Sequence, residues 1–286
     1  MAFDCNTTKK ALGLSNCPVM PEMIVGMITT PSTFSLTKAQ ALVATNWQTA
    51  LFNTPGTRIF LWPKFKGFEN LSEEPVYEDT PHGMLHVRDG NYRFRFHIKE
   101  SLCFHKNAYT HRSTNGRVFL IDSADQIIGT IDSSGNVRGF TYELLNTEKM
   151  IFSDGAVSSK SPLLLALANN KEFDKNGYIF DGSFWSSLQA IIQAEMEIVD
   201  VDDNNITVSV VAECDGTPVE GLVQADFTVL DVDGADQPIT GFADNGDGNY
   251  TLTVGGGLVA GTLQLSGTPT ETEGFVAEDV AVEVAS

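Results

Sequence analysis

All 18 Lys and Arg residues of this 286-residue chain lie between Lys9 and Lys175, together with 17 of the 37 acids. The first 175 residues therefore carry a formal charge of +1, whereas the remainder holds 20 acids and no Lys or Arg. A balanced stretch followed by a purely acidic one requires two modules with different surfaces. The segment from Glu195 to Asn205, dense in Asp and Glu, supplies the junction, and residues 200–204 are expected to form an acidic linker. The total charge of -19 and pI near 4.5 argue against a general nucleic-acid or anionic-membrane binder, because a phosphate backbone is repelled by most of such a surface. With 42% hydrophobic residues the chain has the material for globular cores, but no run approaches the roughly 20 apolar residues of a membrane span. The start MAFDCNTTKK has no apolar stretch of signal-peptide type, so the expectation is synthesis in a cytoplasm without export or membrane insertion. In that compartment Cys5, Cys17, Cys103 and Cys214, which lack CxxC spacing, are expected to be ordinary reduced thiols.

Residues 1–34 combine Pro18, Pro21 and Pro31 with Met20, Met23, Ile24, Val25, Met27 and Ile28, a composition that predicts an extended apolar arm docking on another surface. From 35 to 199 the pattern predicts a mainly β module, barrel-like or sandwich-like, with two flanking helices. One helix is expected near 36–51, where Leu36, Ala39, Val43, Trp47 and Leu51 recur at helical spacing behind Ser35 or Thr37 as caps. The other is expected near 184–196, from Trp185, Leu188, Ile191, Ile192 and Glu195. Between them Tyr92-Arg-Phe-Arg-Phe-His-Ile98 alternates strictly, placing Tyr92, Phe94, Phe96 and Ile98 on one face and Arg93, Arg95 and His97 on the other. Strands are also expected at 58–62, 117–122, 126–132, 136–143, 150–153 and 157–168, and 63–91 reads as a long loop.

After Asn205 the rhythm is all strand, with runs at 206–212, 227–232, 249–254, 261–266 and 275–284 separated by Gly, Asp, Asn and Pro, which suits a β-sandwich. Asp215-Gly-Thr-Pro-Val-Glu-Gly-Leu222, Asp226-Phe-Thr-Val229 and Asp247-Gly-Asn-Tyr-Thr-Leu-Thr253 carry a resemblance to bacterial and phage immunoglobulin-like domains of the invasin type. That likeness covers roughly 205–286 and implies a fold, not a function.

The groups with chemical potential each have a plainer reading. Asp200, Asp202 and Asp203, Asp231, Asp233 and Asp236, and Asp244 and Asp247 offer hard oxygen ligands for Ca²⁺, yet none has EF-hand spacing and turns explain them better. Cys103, His105 and His111, with His97, do not match a structural Zn²⁺ pattern. Glu73, Glu74, Glu78 and Asp79 read as a solvated loop rather than a paired-carboxylate site. No Gly-x-Ser-x-Gly, His-Glu-x-x-His or phosphate-binding Gly-rich loop is present, so no catalytic residue, metal or cofactor is assigned. The basic stripe Arg93, Arg95, His97 and Lys99 is expected to pair with a neighbouring strand or subunit, and Arg93, Arg95, His97, Met20, Met23, Ile24, Met27 and Ile28 are the candidate subunit-interface residues.

The first 200 residues resemble tail tube proteins of tailed bacteriophages, with the likeness centred on Trp62-Pro-Lys-Phe-Lys-Gly-Phe68 through Glu74-Pro-Val-Tyr-Glu-Asp-Thr-Pro81. The resemblance implies a virion protein that forms rings as a homo-oligomer, meets other virion proteins, lets DNA pass without specific binding and displays the immunoglobulin-like module outward. Alternatives are a capsid decoration or head-fibre protein, or an adhesin with weak host-surface glycan contact at exposed aromatics such as Trp62 or Trp185.

Overall fold

Strand β1 (Ile24–Thr30) is buried along its whole length, so the apolar run between Pro21 and Pro31 is a core strand and not an arm. In the computed structural model, which describes residues 21–53, 56–81, 83–113, 115–188, 190–267, 273–277 and 280–283, the chain divides into two compact units, 1–188 and 189–286. Both are mainly β. The expected arm residues 1–20, Met20 among them, lie outside the described residues.

Unit 1 continues with α1 (Lys38–Ala41), α2 (Ala44–Leu51), β2 (Phe60–Leu61), β3 (Gly67–Asn70), β4 (Val76–Thr80), β5 (Gly83–Arg88), β6 (Arg93–Ile98), α3 (Leu102–Thr110), β7 (Gly116–Asp122), β8 (Gln126–Ile131), β9 (Val137–Arg138), β10 (Phe140–Thr147), β11 (Ser161–Leu167), α4 (Asn170–Asp174) and β12 (Gly177–Asp181). The helix expected over 36–51 is therefore two. Thr37 caps α1, its hydroxyl accepting from the Gln40 amide while Gln40 reaches back, and the chain breaks at Leu42 and Val43 before α2. The segment read as a loop, 63–91, holds β3 and the β4–β5 hairpin.

Ten strands form one antiparallel sheet in the order β12-β8-β7-β10-β11-β6-β3, with β1 and β9 joining at β7 and β8 and β2 on β1. Strand β7 is its hub: Arg117–Asp122 pair with β1, Gly116–Val118 with β10, and Leu120 and Ile121 with β8. Its alternating side chains serve two cores. Val118 and Leu120 join Met27, Phe96, Phe140 and Leu165, whereas Phe119 meets the ring of Trp47 from α2 at 5.0 Å. Trp47 is fully buried and its indole donates to the Ala41 carbonyl at 2.9 Å. This branched sheet does not close into a barrel.

Unit 2 comprises β13 (Ala190–Asp202), β14 (Asn205–Ala212), β15 (Phe227–Asp231), β16 (Asp236–Gln237), β17 (Ile239–Gly246), β18 (Asn249–Val254), β19 (Gly261–Gly267), β20 (Glu273–Ala277) and β21 (Val280–Val282). The helix expected over 184–196 is instead a 3₁₀ turn at Trp185–Ser187 followed by β13. Ala194 and Met196 point into the core while Glu195 and Glu197 are exposed, a period of two that β14 and β20 hold in place on either side. Consequently 200–204 is no linker. Asp200 to Asp202 finish β13, and Asp203, in the left-handed region at φ 48°, turns the chain into β14. Pairing is antiparallel throughout except between β13 and β20.

Candidate functional site

The alternation of β6 puts Phe94, Phe96 and Ile98 in the core and leaves Arg93, Arg95 and His97 in a row on the other face. β3, the irregular segment after it and the end of β10 supply carboxylates to that row. Glu69 lies opposite Arg95 in the β3–β6 register and reaches both Arg95 Nη1 at 3.1 Å and His97 Nε2 at 2.6 Å. Glu148, at the end of β10, takes Arg95 through Nε at 2.9 Å and Nη2 at 3.4 Å, a two-pronged pairing. Glu73 pairs with Arg93 at 2.9 Å and Arg88 at 3.3 Å. Thus Arg93, Arg95 and His97 are answered within the chain. Hydrogen bonds from His97 and then Arg95 hold the Glu69 carboxyl below its ordinary range, and Glu148, then Glu69, raise Arg95 above its own.

His97 is only 8% exposed. Its short contact with a carboxylate makes Nε2 the N–H donor, which leaves Nδ1 buried without a hydrogen-bond partner among the described residues. The opposed residue, Gly67, makes room for the ring: a Cβ there would stand 3.0 Å from His97 Cδ2.

Beside this row opens a cleft of about 640 Å³ lined by residues of β6, β10 and β11, by the end of α3 and by the loop after β10. Its cations are Arg95, Arg112, Lys149 and Lys160, and its acids are Glu69 and Glu148. Both acids are taken by Arg95. Arg112 stacks on the Tyr109 ring at 4.5 Å, and Lys160 Nζ stands 3.5 Å from His97 Nε2. No carboxylate lies within ion-pair distance of Arg112, Lys149 or Lys160 among the described residues.

A second feature is the β4–β5 hairpin, a two-stranded sheet bonded to no other strand among the described residues. All of its residues are exposed except Thr80, which is half-buried. Cross-strand pairing places Tyr77 with His86 and Asp79 with Met84 on one face, and Glu78 with Leu85 on the other. Each face therefore mixes an acid with large apolar side chains, Met84 being 70% exposed.

The other residues singled out in the sequence fall in separate settings. Ile24, Met27 and Ile28 are buried in their own sheet, which leaves Met23, at 59% exposure, as the accessible member of that set among the described residues. Cys103 and Cys214 each take part in a disulfide, contrary to the expected reduced thiols. His105 Nδ1 meets the Ser161 hydroxyl at 2.9 Å, and His111 packs edge-on against Phe60 and Trp62, its burial lowering its pKa. No group of three or more His, Cys, Asp or Glu side chains is placed to hold a metal ion among the described residues. The Asp-rich segments make turns: Asp231 accepts from the amides of Asp233 and Ala235, and Asp244 from that of Gly246. Trp62 and Trp185 are buried, donating to Thr29 Oγ1 and Asp125 Oδ1. Sequence reasoning missed the cleft cations Arg112, Lys149 and Lys160, and no local pattern marks them.

Against known proteins, no family model and no curated protein matches the chain. No helix among the described residues is long and apolar enough to cross a membrane.

Proposed function

We propose that this chain is a self-assembling structural subunit of a bacteriophage virion, a tail tube protein whose rings enclose a conduit for DNA and whose unit 2 is an outward immunoglobulin-like module. The observation that carries the self-assembly is the β4–β5 hairpin. An isolated two-stranded hairpin is marginal in water, and one with apolar side chains on both faces needs a cover on each. A second copy is the cover that a structural subunit always has at hand.

Features of unit 2 support the immunoglobulin-like reading. Its strands enclose a core around Tyr250, whose hydroxyl donates to the Val219 carbonyl at 2.6 Å, a tie between strand and chain bend that such sandwiches use. The Asp215 carboxylate closes the bend before Pro218, and Asp247 and Gly248, both at positive φ, turn the chain into β18. With acids and no Lys or Arg, this unit keeps an assembled particle soluble and limits contact with anionic partners. The virion setting rests on the sequence resemblance alone, as do synthesis in a host cytoplasm, contact with other virion proteins and passage of unbound DNA.

The test is light scattering and negative-stain microscopy of the full-length protein over a concentration series. Rings or hollow tubes with knobs are expected, and replacing residues 76–88 by a short Gly-Ser linker should leave a folded monomer. A wild-type protein that stays monomeric at every concentration overturns the proposal, and a discrete oligomer that binds capsids moves it to a decoration protein.

A further inference from the structure

We infer that the β4–β5 hairpin of one copy seats in the cleft of a second copy, with Glu78 and Asp79 meeting Arg112, Lys149 and Lys160. This rests on the self-assembly reading and names the surface that the hairpin meets. Among the described residues two features of unit 1 lack a counterpart, and they are complementary. The cleft has more positive charge than its own acids neutralise, since Glu69 and Glu148 are both committed to Arg95. The hairpin carries Glu78 and Asp79 without an ion-pair partner among the described residues.

The apolar parts match as well. Tyr109 and Ile151 line the cleft and are exposed, and the neighbouring Phe152 is 75% exposed. On the hairpin Tyr77, Met84 and Leu85 stand beside the two acids. These hairpin side chains are exposed, so the hairpin does not occupy the cleft of its own chain. Charge sets the orientation of such a contact and apolar burial supplies most of its strength.

The geometry of association follows. Hairpin and cleft are different patches of one chain, so the contact is either exchanged reciprocally in a two-fold pair or repeated head-to-tail, and the head-to-tail arrangement gives the closed rings or open helices that the self-assembly reading requires. Raised salt should weaken it by screening the charge pairs at the cleft mouth.

Charge reversal tests the pairing in the full-length protein. One variant carries Glu78→Lys and Asp79→Lys, and the other Arg112→Glu and Lys149→Glu. Sedimentation velocity should show each alone requiring at least a tenfold higher concentration to assemble, with unchanged circular dichroism. An equimolar mixture of the two should assemble again, in alternation, because each reversed hairpin then meets a reversed cleft. If the wild type assembles and both variants assemble like it, the pairing is wrong while self-assembly stands. Variants that fail alone and also fail when mixed overturn the pairing too. A wild type that does not assemble overturns this inference together with the reading beneath it.

Discussion

Glu69 stands opposite Arg95 in the register of β3 and β6, yet its closest partner is the diagonal residue His97, 2.6 Å from its carboxylate. One acid thus holds two members of the same strand face, and the hydrogen bond from His97, more than that from Arg95, keeps its carboxyl below the ordinary range. A carboxyl with a lowered folded pKa adds stability above its unfolded pKa and loses it as pH falls through the folded value. Glu69→Gln keeps an acceptor for His97 but removes the charge. Because the Glu69 side chain is 44% exposed, the expected loss at pH 7 is small, about 0.5 kcal/mol. Melting curves of wild type and variant should differ at pH 7, and the gap should shrink as pH falls below the ordinary carboxylate range and through the lowered folded value. A gap that persists at low pH would show that the charge is not its source.

A backbone contact underlies the hairpin's attachment. A Cβ on Gly90 would lie 1.8 Å from the Glu73 carbonyl oxygen, so no side chain fits without moving main chain. Glu73 donates its amide to Asn91 at 3.0 Å and binds Arg93 and Arg88, which means that the displaced strand carries the ionic row with it. Gly90→Ala should cost about 1–3 kcal/mol, read as a lower denaturant midpoint. An unchanged midpoint would mean that β3 and β6 slide apart freely at this point.

In unit 2, Tyr250 is fully buried and its hydroxyl both donates to the Val219 carbonyl and accepts from the Leu222 amide at 3.4 Å. Tyr250→Phe leaves those two groups unsatisfied, a loss of about 1–3 kcal/mol. All three Trp residues, Trp47, Trp62 and Trp185, belong to unit 1. The loss should therefore appear in the β-sheet circular dichroism transition and leave the Trp fluorescence transition in place. A shift of both by the same amount would mean that the two units unfold as one.

How far the sequence could be read depends on whether neighbours in the chain or across the sheet decide each position. The strict alternation over 92–98 made β6 and its basic face legible, because one strand suffices to show period two. Its partners were not, since Glu69 and Glu148 lie 26 and 53 residues from Arg95. The same limit hid the cations of the cleft, which come from the chain just after α3, the loop after β10 and the approach to β11. Over 184–196, Leu188, Ile191 and Glu195 fit a helical stripe while Ala194 and Met196 fit a strand, and the edges offered by β14 and β20 settle the choice. Ile24 to Thr30 misled for a different reason. A continuous apolar run suits a strand covered on both faces, but without knowledge of β7 it looks like an unburied arm. The helix α3 went unread because Leu102, Cys103, Phe104 and Ala108 make no clear stripe, although Ser101 caps it by accepting from the Phe104 amide.

The position of β13 sets where unit 2 can be cut. A piece beginning at Asn205, as the acidic run suggested, lacks the strand that pairs with β14 from Ala194 to Asp202 and with β20 from Ala190 to Ala194. It also loses Ala194 and Met196 from the core. Burying one Met side chain stabilises a fold by about 1.5–3 kcal/mol, a large share of the roughly 5–15 kcal/mol that holds a small domain together. The cut further opens two sheet edges, which invites association through unpaired backbone groups. Residues 189–286 should therefore give dispersed amide NMR signals and a cooperative melt, whereas 205–286 should give neither and should aggregate. A cooperative transition of 205–286 at the same midpoint would show that β13 is an accessory to unit 2 and that its core closes without the strand.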